Sequence, residues 1–201
     1  MLSLRKPESS TIRNFLDGQS KLDFTYDGVG TTATQPPKGY VVDHTRAKIG
    51  RGEPVFDSVK SALQRWQQFR LGWLEVYSPE TPIQRGEVVA VVVRSMGVWW
   101  LCACRIVYVI DEEEPIRRYG FAYETLPDHA GSGEERFLIE MDEMGDVWYD
   151  ILAFSRSHHL LARLGYPFVR VVQKRFGKET VAAIIRTVQH STNHHPEENV
   201  P

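Results

Sequence analysis

The 201 residues suffice for one well-buried domain, and a make-up of 42% hydrophobic and 25% charged residues is ordinary for a globular chain. A formal net charge of -2 supplies no Lys/Arg surplus for phosphate contacts, which argues against a general nucleic-acid binder. No apolar run approaches the ~20 residues that span a bilayer, and the opening MLSLRKPESS lacks the apolar core of a signal peptide, so the default location is cytoplasmic.

Residues 1–39 read as an irregular strap in which DGVGTTATQPPKG marks turns. Gly28-Val29-Gly30-Thr31-Thr32 faintly resembles a phosphate loop. It lacks the Gly-Lys-Ser/Thr ending and a strand before it, so turn chemistry is the better reading. Tyr40–Ile49 reads as a first strand. Gly52-Glu53-Pro54 then opens a helix, with Pro in the first turn. Val55, Phe56, Val59, Ala62, Leu63, Trp66 and Phe69 continue at helical spacing to about Arg70.

Strands follow at Trp73–Tyr77, Glu87–Arg94, Val98–Asp111, Ile116–Leu126, Glu134–Asp142 and Val147–Phe154, separated by SPETP, SMG, DEEEP and EMGD-type turns. Links this short predict an antiparallel meander, since parallel pairs need long crossovers. The acidic run Asp111–Glu114 falls at a hairpin tip. Cys102 and Cys104 share a strand face without a second Cys/His pair at zinc spacing. They read as reduced packing residues, and neither a metal nor a cofactor is expected.

From Ser157 to about Gln189 the period is helical again. Leu161, Leu164, Phe168, Val172 and Phe176 form a stripe that Val181, Ile184, Ile185 and Val188 extend. Pro167 should kink this helix or mark its restart. Ser155-Arg156-Ser157 reads as its N-cap. Arg163, Arg170, Lys174 and Lys178 lie on another, solvated face. His158 and His159 diverge by ~100° on a helix and make a poor metal pair. Residues 190–201 read as a disordered polar tail.

Strand, helix, strands and long helix are met economically by an α+β helix grip: a curved antiparallel sheet of about seven strands holding a C-terminal helix over residues 40–189. The order is similar to that of the Bet v 1/START-like superfamily, which implies a cavity between sheet and helix.

Several runs also resemble the uncharacterised DUF1990 (UPF0548-type) family: TYDGVGTT (25–32), FRLGWLEVYSP (69–79), ACRIVYVID (103–111), YGFAYETLPDHAGSGEERF (119–137), VWYDILAFSR (147–156) and LARLGYPFVR (161–170). The resemblance implies the fold and carries no catalytic roles. The resemblance implies smaller residues, commonly Gly, where this chain has Glu124 and Asp128.

Strand parity locates a candidate site. Glu135, Phe137, Ile139 and Met141 share one face, Glu134, Arg136 and Glu140 the other, so Glu135 is expected inward and Glu134 outward, toward solvent or scaffold. Tyr119, Phe121 and Tyr123 align on one face of the preceding strand. An inward Glu135 beside tyrosine hydroxyls and His129 makes a polar anchor in an apolar cavity. The bland alternative is that Glu135 caps backbone donors or pairs with Arg105 or Arg156. Arg105 either reaches the cavity or covers the outer sheet face with its stem. Both faces of its strand are apolar, so residues 1–39 should lie across the outer one, or two chains should pack there as a homodimer.

The function expected first is binding of a small apolar or amphipathic molecule. Trp66, Trp73, Tyr119, Tyr123, Phe137 and Trp148 would form walls, with Glu135 and Arg105 as orienting groups. The alternatives are a cyclase-, dehydratase- or hydrolase-type enzyme using Glu135 and His129 as acid and base, or a regulatory interaction protein.

Overall fold

A computed structural model describes residues 1–24, 28–128, 131–157 and 166–192. The β-branched, turn-bounded runs form β2 (Val41–Arg51), β3 (Leu74–Tyr77), β4 (Val88–Ser95), β5 (Val98–Glu112), β6 (Arg117–Thr125), β7 (Gly131–Met141) and β8 (Asp146–Ser157), with a short β1 (Leu2–Ser3). All belong to one sheet in the order β2-β8-β7-β6-β5-β4-β3, β1 pairing with β5. Every pairing is antiparallel. The sheet thus has eight strands where the sequence predicted about seven, the extra one being β1.

Among the described residues three helices accompany it: α1 (Ser9–Gln19), α2 (Glu53–Gln64) and α3 (Tyr166–Thr192). Helix α2 starts at the Gly-Glu-Pro signal but stops at Gln64, and the stripe continues through a 3-10 turn at Gln67–Phe69. Pro167 lies in the first turn of α3, where its missing N–H would have no helical partner anyway. Ser155, Arg156 and Ser157 are the last residues of β8 rather than an N-cap. Ser155 Oγ accepts a hydrogen bond from Gln173 Nε2 at 3.0 Å. His158, His159, Leu161, Arg163 and Leu164 lie outside the described residues, as do residues 193–201 of the tail.

The inner face of the sheet packs on α2 and α3. Phe56, Val59, Ala62 and Leu63 from α2 and Phe176, Ile184 and Val188 from α3 bury against Phe121, Phe137, Ile139 and Tyr149. Trp66 meets Phe121 at 5.1 Å, and Phe69 meets Phe137 at 5.4 Å and Phe176 at 5.6 Å, separations typical of favourable ring pairs. Burying each such ring is worth about 1.5–3 kcal/mol in area terms.

The outer face is covered by the chain itself. Ile12 of α1 packs on Ala90, Val92 and Leu101, flanked by Phe15, Leu16 and Trp99. The reading of residues 1–39 as irregular is therefore corrected: Ile12, Phe15 and Leu16 recur at helical spacing, but over too few turns to stand out against polar neighbours. No second copy is needed to cover this face over β4 and β5. No helix among the described residues is long and apolar enough to cross a membrane.

Candidate functional site

Between the inner face and α3 lies a partly open cavity of about 280 Å³. Its apolar wall includes Phe69, Trp73, Val91, Ile151, Val172 and Phe176. Phe69 is delivered by the 3-10 turn after α2, and Val172 and Phe176 by successive turns of α3. Inside this wall, Tyr123 of β6 and Glu135 of β7 are register partners, and the Tyr123 hydroxyl donates to Glu135 Oε2 at 2.7 Å. Burial pushes the Tyr123 phenol well above its usual range, and the adjacent Glu135 charge pushes it further. It therefore stays a proton donor at neutral pH.

Cys102 and Cys104 line the same cavity as buried thiols outside any disulfide. Burial, with smaller contributions from Cys102 and Glu135, raises the Cys104 thiol well above its ordinary value, so it is a neutral wall group and not a thiolate nucleophile. Toward α3 the polar groups are paired. Asp43 receives both terminal nitrogens of Arg170, Nη2 at 2.5 Å, and Arg170 Nη1 also reaches Gln173 Oε1 at 2.9 Å. Among the described residues no group of three or more His, Cys, Asp or Glu side chains is arranged to hold a metal ion.

The adjacent Glu134 points through the opposite face, into the segment that faintly resembled a phosphate loop. Gly30 N–H donates to Glu134 Oε2 at 2.5 Å, Thr32 N–H to Oε1 at 2.8 Å, and the Thr32 hydroxyl also donates to Oε1. Gly30 has φ +83°, a left-handed conformation that aims successive N–H groups at one point. The loop does bind an anion, but an internal one. Since Thr32 spends its proton on Glu134, Tyr108 donates to Thr32 Oγ1 at 2.6 Å. Arg136 completes the latch with bonds to Thr32 O at 2.9 Å and Asp150 Oδ1 at 2.8 Å. Glu134 is thus outward as parity implies, but it is 2% exposed and built into scaffold rather than solvent.

The sequence-predicted site residues separate into three groups. Trp73, Tyr123 and Glu135 line the cavity. Trp66, Tyr119 and Phe137 are buried in the core beside it, where Trp66 Nε1 donates to Thr81 O at 2.8 Å and Lys60 stands 4.9 Å over the Tyr119 ring. Arg105 and Trp148 are corrections, because both stand on the outer face. Arg105 donates to the carbonyls of Ser20 at 2.7 Å and Leu22 at 3.0 Å, tying down the chain after α1. Trp148 donates to Asp142 Oδ2 at 2.9 Å and carries Arg46 over its ring at 5.1 Å. His129 lies outside the described residues. Sequence reasoning did not assign Val91, Cys102, Cys104, Thr45, Gln173 or Gly177 to the cavity. The even parity of Cys102 and Cys104 with Ile106 was the one available signal, and it required knowing which face of β5 is inner.

A family model described as a domain of unknown function (DUF1990) matches residues 25–183. A UPF0548 protein of Dictyostelium discoideum is 31% identical over 212 residues, covering 96% of this chain and 98% of its own length. A UPF0548 protein of Arabidopsis thaliana is 32% identical over 94% of this chain and 98% of its own. Among solved structures, the di-domain ARO/CYC StfQ from the steffimycin biosynthetic pathway superposes with TM-score 0.52 at 8% identity, over 77% of this chain and 52% of that one. A Thalictrum norcoclaurine synthase mutant in complex with a transition-state analogue superposes with TM-score 0.50 at 9% identity, over 79% and 99%. Identities this low speak to architecture alone, and they agree with the α+β helix grip expected from element order. The chain belongs to the DUF1990 (UPF0548) family and carries it on a Bet v 1/START-like fold.

Proposed function

We propose that this protein binds a small, largely apolar molecule in the cavity between its sheet and α3. The observation that carries this reading is a partly open, aromatic- and aliphatic-walled space of about 280 Å³ containing a hydrogen-bonded carboxylate–phenol pair. Apolar walls with a few convergent polar groups are the usual make-up of a small-ligand site, and this volume stands near the lower end of the customary range of about 300–1,000 Å³. A compact ligand follows from that size.

Native mass spectrometry of the purified protein tests the reading. Wild type should retain a co-purifying mass, or take one up from a fragment mixture, and Ala153→Phe, which fills the cavity from β8, should lose it while remaining folded. A bare mass under all conditions, together with a crystal structure showing only ordered water in the space, would remove the binding reading.

Acid–base catalysis is the second reading, favoured by the 2.7 Å contact between Tyr123 and Glu135, which sets a proton donor and an acceptor side by side. It requires that Glu135→Gln and Tyr123→Phe abolish turnover of the bound molecule while changing its affinity much less.

A further inference from the structure

We propose that the β4–β5 hairpin tip and the adjoining solvent face of α3 dock on an anionic lipid bilayer. The hairpin turns on Met96 and Gly97, since Ser95 pairs with Val98. Both turn residues have left-handed φ, +53° and +77°. A tight turn of this kind favours Asn, Asp or Gly at its first position, because an ordinary side chain is strained there. Methionine stands there instead and is 78% exposed, so packing within the fold does not account for it. Beside the tip, Leu2 and Val93 flank Trp100 in register, and Leu2 and Trp100 are exposed. Leu4, just past β1, is 83% exposed. Val93 also lines the cavity, so this apolar row is continuous with the cavity wall.

Trp73 joins the tip to α3. Its carbonyl accepts the Arg94 N–H at 2.7 Å, its indole donates to Glu179, and Arg175 lies 4.5 Å over its ring. From there exposed Val171, Lys174, Arg175 and Lys178 share one helix face at i, i+3 and i+4 spacing. Val171 is 63% exposed among these cations. Helix α3 holds five Lys or Arg against one Glu, a formal +4 in a chain of net -2. That glutamate, Glu179, is paired with Arg175, and Lys6 offsets Glu75 near the tip. Exposed Arg5 and Arg94 add to the positive side.

A bilayer matches this combination better than other partners do. Basic side chains are drawn to anionic headgroups, while projecting Met, Leu and Trp enter the interface without a matched pocket. A nucleic acid would use the cations and leave Leu4 and Met96 in water. A second copy meeting this face about a two-fold axis would set one basic α3 against another.

Cosedimentation of the full chain with large vesicles tests this. Vesicles with about 30% phosphatidylglycerol should bind it at least about tenfold better than pure phosphatidylcholine, and salt near about 0.5 M should remove most of that gain. Tryptophan emission should move to shorter wavelength on binding, as Trp100 enters the interface. Leu4→Asp with Met96→Asp, and separately Lys174→Glu with Lys178→Glu, should each lower binding at least about tenfold. Neither pair should move the melting temperature, because all four positions are exposed. If the apolar pair does not fold, the wild-type emission shift stands in for it, and its absence counts against insertion. No binding to the anionic vesicles, or binding that neither pair reduces, overturns the proposal. Loss with the lysine pair alone overturns it in favour of a soluble polyanion. A dimer on size exclusion that Met96→Asp dissolves overturns it in favour of self-association. Each of these results leaves the cavity reading standing.

Discussion

Glu124 is buried with zero exposure, and neither of its carboxyl oxygens has a hydrogen-bond partner. In register it lies between Arg105 on β5 and Glu134 on β7. Arg105 directs its guanidinium to the Ser20 and Leu22 carbonyls instead, and Glu134 is fixed in the Gly30–Thr32 cradle. Burial, then the neighbouring Glu134 charge, pushes the Glu124 carboxyl from 4.5 up to about 8, with Arg105 opposing. The acid is thus held protonated in the fold at neutral pH while the unfolded chain ionises it. Between 4.5 and about 8 the folded state binds more protons, so stability falls as pH rises through that window and levels off above it. Glu124→Gln removes the titrating group while keeping its shape. The variant should match wild type near pH 4 and exceed it by on the order of 3 kcal/mol at pH 7. Urea melts across that pH range measure the difference, and parallel curves would contradict a buried, protonated Glu124.

The segment before β2 is held as an element by contacts spread along its length. Gln19 at the end of α1 exchanges bonds with Asp128, its Nε2 reaching Oδ2 at 3.1 Å and its Oε1 receiving the Asp128 N–H at 3.3 Å. Arg105 holds the next residues, and the Gly30–Thr32 turn encloses Glu134. Each bond to a charged group is worth about 1.5–3 kcal/mol, and α1 also shields Ala90, Val92 and Leu101 from water. A variant lacking residues 1–36 should therefore melt at least about 10 °C lower or precipitate, the loss of several kcal/mol in a domain of this size. Circular dichroism of the truncated chain decides, and an unchanged melting temperature would remove the strap from the stability account. Strand and helix periods were legible because each element repeats its own pattern. The cradle was not, since Gly28–Thr32 acquires meaning only from a carboxylate about a hundred residues away. The phase of two strands was also hidden. In β8 Val147, Tyr149 and Ile151 alternate with Trp148 and Leu152, so only Asp150, bonded to Arg136 and His44 on the outer face, breaks the tie. In β5 both faces are apolar, and Arg105 answers to an N-terminal segment whose path one sequence does not reveal. Tyr123 and Glu135 were legible because charge and aromatic parity agreed on neighbouring strands.

At the scale of the molecule, the size of the cavity depends on how closely the sheet can hold α3. Helix α3 is tethered along its length by Arg170 to Asp43, Gln173 to Ser155, and Glu179 to the Trp73 indole at 2.6 Å. Between these tethers Gly177 lets the helix approach β2: a Cβ there would meet Thr45 Oγ1 at 2.9 Å. Both residues line the cavity, so the contact that sets helix height also sets cavity shape. Glycine inside a helix is about 1 kcal/mol less favourable than alanine, and the close approach explains why it is present. Gly177→Ala in the wild-type background should gain less than that amount or lose stability, because the new methyl presses on Thr45. In a Thr45→Ala background the obstruction is gone, and the same substitution should add the full ~1 kcal/mol of helix propensity. A coupling of at least about 0.5 kcal/mol between the two sites is expected, read from denaturant melts of the four proteins in the cycle. The single Gly177→Ala variant should also weaken retention of the small apolar ligand read by native mass spectrometry, since it lifts the helix or adds a methyl to the wall. Additive effects with unaltered binding would mean that α3 is positioned by its polar tethers alone, and the grip would then have to be sought at Arg170 and Gln173.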